Sequence, residues 1–195
     1  MMLLVGVLLP AMNRNHRRNS SDTRDVNHLK QLGLAGRIFA TDNDDRFPWD
    51  VSTNSGGTMQ YKLDPAFAYR HFQAMSNELN DPRILHCPAD RQRQWATNWT
   101  SLRNTNISYF VGIDASETFP QEPMSGDSNL TTNGVAAGTS ILQLTTHLAV
   151  GWTAARHKGA GNVVLGDGSV QQMTTARLSN QIGSMGASTN RILIP

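Results

Sequence analysis

The sequence predicts an α+β fold, and three observations predict it. Residues 27–48, NHLKQLGLAGRIFATDNDDRFP, carry apolar side chains at the spacing of one helix face and then stop abruptly. Residues 107–113, ISYFVGI, are β-branched and aromatic, as a central strand requires. Residues 162–173, NVVLGDGSVQQM, set Asp167-Gly168 between two strand-like runs, a strong hairpin signal because Asp-Gly supplies the positive φ angles of a two-residue type I′ turn.

The chain begins with an apolar run, MMLLVGVLLPAM, in which Leu3, Leu4, Val7 and Leu8 precede Pro10. The run is shorter than the roughly 20 residues that cross a bilayer as a helix. It also lacks the basic lead-in and small-residue cleavage site of a secretory signal. A buried helix turn, the end of a signal-like segment and the C-terminal half of a membrane helix all fit it; the abrupt start favours the last. Arg14, His16, Arg17, Arg18 and Arg24 follow. A single helix over residues 1–41 would be about 60 Å long at 1.5 Å per residue, too long to bury along its whole length. Its first half then lies in a membrane, a neighbouring subunit or solvent, and the apolar tip argues against solvent.

In the second half, Leu29, Leu32, Gly36 and Phe39 recur at spacings of three and four, and Leu34 and Ile38 widen the stripe. Asn27, Lys30, Gln31 and Arg37 fall on the other side. Gly33 and Gly36 allow close approach of a sheet or a second helix. The acids at 42–45 oppose the helix dipole, and Pro48 disfavours helical geometry at Phe47, so the helix ends near Thr41. Residues 1–46 thus form a long helix, with an apolar tip at 1–12 and an amphipathic half at 26–41. Residues 47–195 form a globular α+β domain.

Within that domain, Asp64-Pro65 starts a helix over 66–79, residues 83–87 read as a short strand closed by Pro88, and residues 116–133 read as a long surface loop. A short helix at 175–182 and a flexible tail at 183–190 follow the hairpin. At 195 residues the chain builds one substantial core. Its low hydrophobic (38%) and charged (16%) contents suit a loop-rich, β-containing domain better than a bundle. A net charge of +2 is too small to imply a nucleic-acid partner. Cys87 is the only cysteine, which excludes an intrachain disulfide.

Candidate chemistry is sparse. His157 and Asp167 are spaced as H-x9-D-G, either a metal-ligand or acid–base pair or, as favoured here, a loop residue and a turn residue. The acids at 42–45 open like a calcium loop, but Phe47 and Thr53 stand where an EF-hand needs Gly and Glu. A structural Ca2+ held with Asp114 or Asp127 is the one ion the acids suggest, and a solvated turn is the favoured reading. Cys87, in HCPAD, reads as buried and inert rather than nucleophilic. Trp95 and Trp99, near Arg91 and Arg93, read as core with a basic rim, or else as a stacking surface for a sugar or base. No G-x-S-x-G, phosphate loop or zinc-finger spacing occurs, so neither an enzyme nor a cofactor is predicted.

The segments NHLKQLGLA at 27–35 and ATDNDDRFP at 40–48 resemble the region after the membrane helix in bacterial prepilin-like proteins, the pseudopilins of type II secretion and type IV pilus systems. The chain is most similar to a subgroup with a C-terminal H-x9-DG processing-associated segment, matched by His157, Asp167 and Gly168; CPAD at 87–90 and ISYFVGI at 107–113 also have counterparts there. The resemblance implies a pilin-like fold, with the second half of a long N-terminal helix on an antiparallel sheet. It implies a non-enzymatic protein of the inner membrane, the periplasm or the exposed cell surface, whose partners are its own copies or other pseudopilins in a filament. Leu3, Leu4, Val7, Leu8, Pro10, Leu29, Leu32, Gly33, Gly36 and Phe39 then belong to the assembly helix. The family's peptidase segment and assembly glutamate do not appear, and a gene start placed too late is the expected reason. Relatives often carry a Cys near the position of Asp25, to pair with the counterpart of Cys87. The alternative to a filament subunit is a helix-anchored extracytoplasmic module binding polysaccharide or protein through Trp95, Trp99 and the 116–133 loop.

Overall fold

A computed structural model describes residues 5–186 and 189–195, with side chains of the first helix described from residue 21 onward. Leu3 and Leu4 therefore lie outside the described residues, as do the side chains of Val7, Leu8 and Pro10. Helix α1 spans Val5–Thr41, 37 residues, or about 55 Å. Its buried stripe is Asp25, Leu29, Leu32, Gly33, Ala35, Gly36, Phe39 and Ala40. Leu34 and Ile38 do not widen it: they are 60% and 42% exposed. Each lies two positions past a buried residue, about 200° round the helix, beyond the face that the sheet covers. The helix stops at Thr41 as expected. The Asn43 amide donates to the Phe39 carbonyl at 2.8 Å, and Asp44 and Asp45 adopt left-handed φ of 56° and 58°.

Beyond the helix stop, the chain turns back beneath α1. Phe47, Trp49 and Val51 enter the core. The expected helix at 66–79 begins with a 3₁₀ turn, Pro65–Phe67, capped by the Asp64 carboxylate on the Ala66 amide at 3.0 Å. It continues as α2 (Ala68–Ala74) and α3 (Ser76–Leu79), separated at Met75. Residues 83–87 are not a strand. Pro82–Leu85 is a 3₁₀ turn, because Pro82 presets its first φ and the Asp81 carboxylate caps the Arg83 amide at 2.9 Å.

Among the described residues nine strands follow: β1 (Tyr109–Gly112), β2 (Pro123–Asp127), β3 (Leu130–Thr132), β4 (Val135–Ala136), β5 (Ser140–Gln143), β6 (Val150–Trp152), β7 (Ala160–Leu165), β8 (Val170–Thr174) and β9 (Arg191–Ile194), with α4 (Thr175–Gly183) after β8. They form a six-stranded sheet, β5-β9-β1-β2-β7-β8, and a three-stranded one, β4-β3-β6. The described strand pairs are antiparallel. The protein is thus α+β, with an N-terminal helix against an antiparallel sheet.

The loop expected at 116–133 is present only in part. Residues 118–121 are exposed and outside any strand, but β2 lies buried between β1 and β7, and its Pro123 sits beside a register shift at Met124 where a missing N–H is tolerated. Residues 187 and 188 of the expected 183–190 tail lie outside the described residues; the chain after it forms β9, which pairs with both β1 and β5. The hairpin expected at 162–173 is present as β7–β8, but with a different turn. Gly168 N–H donates to Leu165 C=O at 2.8 Å, and of the Asp-Gly pair only Gly168 has positive φ, 82°. This is a three-residue loop with a bulge at Gly168, instead of a type I′ turn.

The larger sheet is covered on both faces. Tyr109, Val111, Met124, Val164 and Leu193 join α1 and the 47–107 segment in one core. Phe110, Val163, Leu165, Ile192 and Ile194 point the other way, onto α4 and the smaller sheet. The period-two alternation of β1, β7 and β9 produces this division.

Candidate functional site

Asp25 lies on the buried stripe of α1, one turn before Leu29, and is 0% exposed. Its carboxylate accepts from the Tyr109 hydroxyl at 2.7 Å and from Asn162 Nδ2 at 2.6 Å. Tyr109 comes from β1 and Asn162 from β7, so the helix is fastened to two strands through one side chain. Asp127, at the end of β2, is opposite Tyr109 and accepts from the Asn162 backbone N–H at 2.9 Å.

Between these carboxylates stands His157. Its Nδ1–H donates to Asp22 Oδ1 at 2.8 Å. Its Nε2 is 3.3 Å from Asp127 Oδ2, 3.4 Å from Asp25 Oδ2 and 3.2 Å from Cys87 Sγ. His157 and Lys158 adopt left-handed φ of 46° and 58°. Such a backbone is costly for non-glycine residues and persists where surrounding contacts over-determine it. Here three carboxylates fix the ring that the turn presents.

The ionic balance follows from these contacts. Burial alone would lower the His157 pKa, but Asp127, Asp25 and Asp22 outweigh it and raise it to about 9. Burial and the neighbouring Asp127 carboxylate push Asp25 up to about 6, against hydrogen bonds from Cys87 and Tyr109. Burial, with Asp127 and Asp25 beside it, drives the Cys87 thiol far above its ordinary value. Nearby, Arg156 pairs with Asp90 at 2.7 Å, reaches Asp127 Oδ1 at 3.6 Å and donates to the Ser108 carbonyl at 2.9 Å. Burial favours the neutral form of Asp90, but Arg156 and the Ser108 hydroxyl hold its pKa below the usual range. Cys87 and Asp90 thus give CPAD two adjoining roles in the same seam.

This arrangement lacks the features of nucleophilic catalysis. The thiol is held protonated and the imidazole is already charged, so neither is poised to attack or to accept a proton. The side chains of Asp25, Asp127 and His157 are 0% exposed, as is Cys87, while Asp22 at 38% is the group that meets solvent. The same four buried groups, Asp25, Cys87, Asp127 and His157, offer ligand atoms that all lie within 4.8 Å of one another.

His157 and Asp167 are not partners. Asp167 is in the turn beyond β7, where its carboxylate accepts from Ser169 N–H at 2.8 Å and its carbonyl accepts from Arg37 at 3.0 Å. Gly168 lies against Gly33: a Cβ on Gly33 would come within 3.2 Å of the Gly168 backbone. The two ends of H-x9-DG therefore hold α1 at two heights. The acids at 42–45 do not meet Asp127, which lies beside Asp25, about 25 Å away along the helix at 1.5 Å per residue. Asp114 is bound by Arg191 at 2.6 Å. Trp95 is 55% exposed and packs edge-on to His86, whereas Trp99 is half-buried and donates to the Asn80 carbonyl at 3.3 Å.

Sequence reasoning missed Asp22, Asp25, Tyr109 and Asn162. A signal for Asp25 did exist, since 25, 29, 32 and 36 share one helix face and a carboxylate on a buried stripe requires a partner. Comparison with known protein families, characterised proteins and solved structures returns no match.

Proposed function

We propose that the protein is a non-enzymatic, pseudopilin-like structural protein of the bacterial cell envelope. In this reading it assembles through its N-terminal helix with its own copies or other pseudopilins into a filament of the type II secretion or type IV pilus kind. The observation that carries this is the use made of α1. Its 25–40 segment is buried on the sheet, yet the helix begins at Val5, so about 30 Å of it precedes Asp25 at 1.5 Å per residue. A helix with that much length ahead of its docked segment has the reach to join a second body. Segments that resemble prepilin-like proteins also lie along α1, with both ends of H-x9-DG contacting it and CPAD adjoining it at the His157 end. The closure of the site, with Asp25, Cys87, Asp127 and His157 side chains buried, further supports a structural role over an enzymatic one. Among the described residues no helix is long and apolar enough to cross a membrane. The reading places contact with the inner membrane in the apolar tip at 1–12.

Cross-linking and sedimentation of the full chain in detergent and in lipid test this, beside a chain lacking residues 1–20. Sedimenting oligomers formed by the full chain and lost on that deletion, with the fold kept, are expected. A full chain that stays monomeric under every condition overturns the reading. The exposed Trp95 favours a second reading, a helix-anchored module for polysaccharide or protein. Its predicted outcome is glycan or protein binding that survives the deletion and is lost in Trp95→Ala.

A further inference from the structure

We propose that Asp25, Cys87, Asp127 and His157 form a structural Zn2+ site that locks α1 to the sheet. The donors are one imidazole nitrogen, one sulfur and two carboxylates, a set that suits Zn2+ and not the all-oxygen preference of Ca2+ or Mg2+. The distances match as well. A tetrahedral ion with bonds of about 2.0–2.3 Å spaces its ligand atoms roughly 3.3–3.7 Å apart. His157 Nε2 already lies 3.2 Å from Cys87 Sγ, 3.3 Å from Asp127 and 3.4 Å from Asp25. The widest pair, within 4.8 Å, closes by about 1 Å around such an ion.

The groups behind the ligands are placed as metal sites place them. Asp22 accepts from His157 Nδ1–H, which fixes the tautomer and turns Nε2 inward. Tyr109 and Asn162 orient the Asp25 carboxylate. An independent observation also asks for a cation: Asp127 Oδ1 is buried without a hydrogen-bond donor, and Arg156 stops 3.6 Å short of it. Two carboxylates and a thiol converge on a single imidazole in a place closed to water. One divalent ion takes the place of the two protons held on Cys87 and His157, so the net charge of the buried site does not change on binding. On binding, Zn2+ displaces the Cys87 thiol proton and the His157 Nε2 proton to solvent, leaving a site of charge −1 beside Arg156.

The site is independent of assembly, so loss of the filament reading leaves it standing. The test is equilibrium dialysis of the chelator-treated full chain against Zn2+, with Co2+ as a spectroscopic probe. The expected result is one equivalent bound per chain, a raised Tm, and a thiolate-to-cobalt charge-transfer band. Cys87→Ser should abolish the band and weaken Zn2+ binding at least 100-fold. Asp22→Asn, which touches only the far side of the ring, should weaken binding 10–100-fold. His147→Ala, at an exposed histidine, should change nothing. The wild-type measurement does not depend on any variant folding. Failure of the folded wild-type chain to bind either metal overturns the proposal. So does stoichiometric binding that survives both Cys87→Ser and His157→Ala.

Discussion

The buried face of α1 has two ends of opposite chemistry, seven residues apart. At Asp25 the helix meets the sheet through a carboxylate, a phenol, an amide and an imidazole, all withdrawn from water. At Leu32 it meets the sheet through hydrocarbon, with Gly33 close against Val164 and Gly36 against Met124. One strand, β7, serves both ends: Asn162 lies at the first and Val164 at the second. Burial therefore does not decide which residues the helix carries; the partners waiting on the strand do. The apolar end supplies stabilisation, at about 1.5–3 kcal/mol per large side chain. The polar end makes any other rotation or register of the helix costly, since a shifted Asp25 would be buried unpaired.

Exchanging the two chemistries should have the largest effect. Leu32→Asp puts at the apolar end the same group that Asp25 presents, but no donor awaits it. Leu32 is 1% exposed, and burying an unpaired carboxylate there is expected to cost more than about 4 kcal/mol. Chemical denaturation should find the variant unfolded or nearly so at neutral pH. A Tm equal to wild type would break the comparison.

A second buried histidine sharpens it by sign. His71 packs in the same core as Leu32, its ring edge-on to Trp49 at 6.1 Å and its Nδ1 at 2.6 Å from the Thr58 hydroxyl. No carboxylate offsets its burial, and its pKa falls to about 4, whereas that of His157 among its carboxylates rises. For His71 the folded pKa lies below the unfolded value of 6.5, so the unfolded chain takes the proton first. Its neutral form costs nothing above pH 6.5; stability is then lost as pH falls from 6.5 towards 4, by up to about 3 kcal/mol at 1.36 per unit. His71→Gln, measured beside wild type by urea denaturation across that window, should flatten the loss. An unchanged slope would mean that His71 is protonated in the folded protein.

These two ends differed in how far the sequence disclosed them. The helix stop at Thr41 was legible because local rules act there, the acids and Pro48 both opposing continuation. The stripe at Leu29, Leu32, Gly36 and Phe39 was legible from its period, and the strand at 109–112 from its composition. Residues 123–127 were hidden because Pro and Gly speak for loops, and only the pairing of β2 with β1 and β7 makes PMSGD a strand. The tail concealed β9 for the same reason, four residues having too little period to read. Asp22, Asp25, Cys87, Asp127 and His157 are scattered along the chain, and no spacing rule joins them before the fold does. H-x9-DG was visible as a pattern, but its meaning depended on α1 lying along β7.

The smallest expected effect lies within the apolar end, and it asks which glycine the strand requires. Each loses about 1 kcal/mol of helix propensity relative to Ala, so each Gly→Ala change begins with that gain. At Gly33 the added Cβ would lie 2.7 Å from Val164 Cγ2 and 3.2 Å from the Gly168 backbone. Val164 is β-branched, buried and held by β2 and β8, and the turn backbone cannot swing aside. The gain should be reversed to a net loss of about 1–2 kcal/mol. At Gly36 the obstacle is the Met124 thioether, 2.9 Å from Sδ and 3.2 Å from Cε, a chain that can change rotamer. Gly36→Ala should therefore be near neutral, within about 0.5 kcal/mol of wild type. Differential scanning calorimetry should rank Gly36→Ala above Gly33→Ala in Tm. The reverse order would place the tightest approach of helix and sheet at Met124 on β2, away from the DG turn, and H-x9-DG would then hold the helix only at its histidine end.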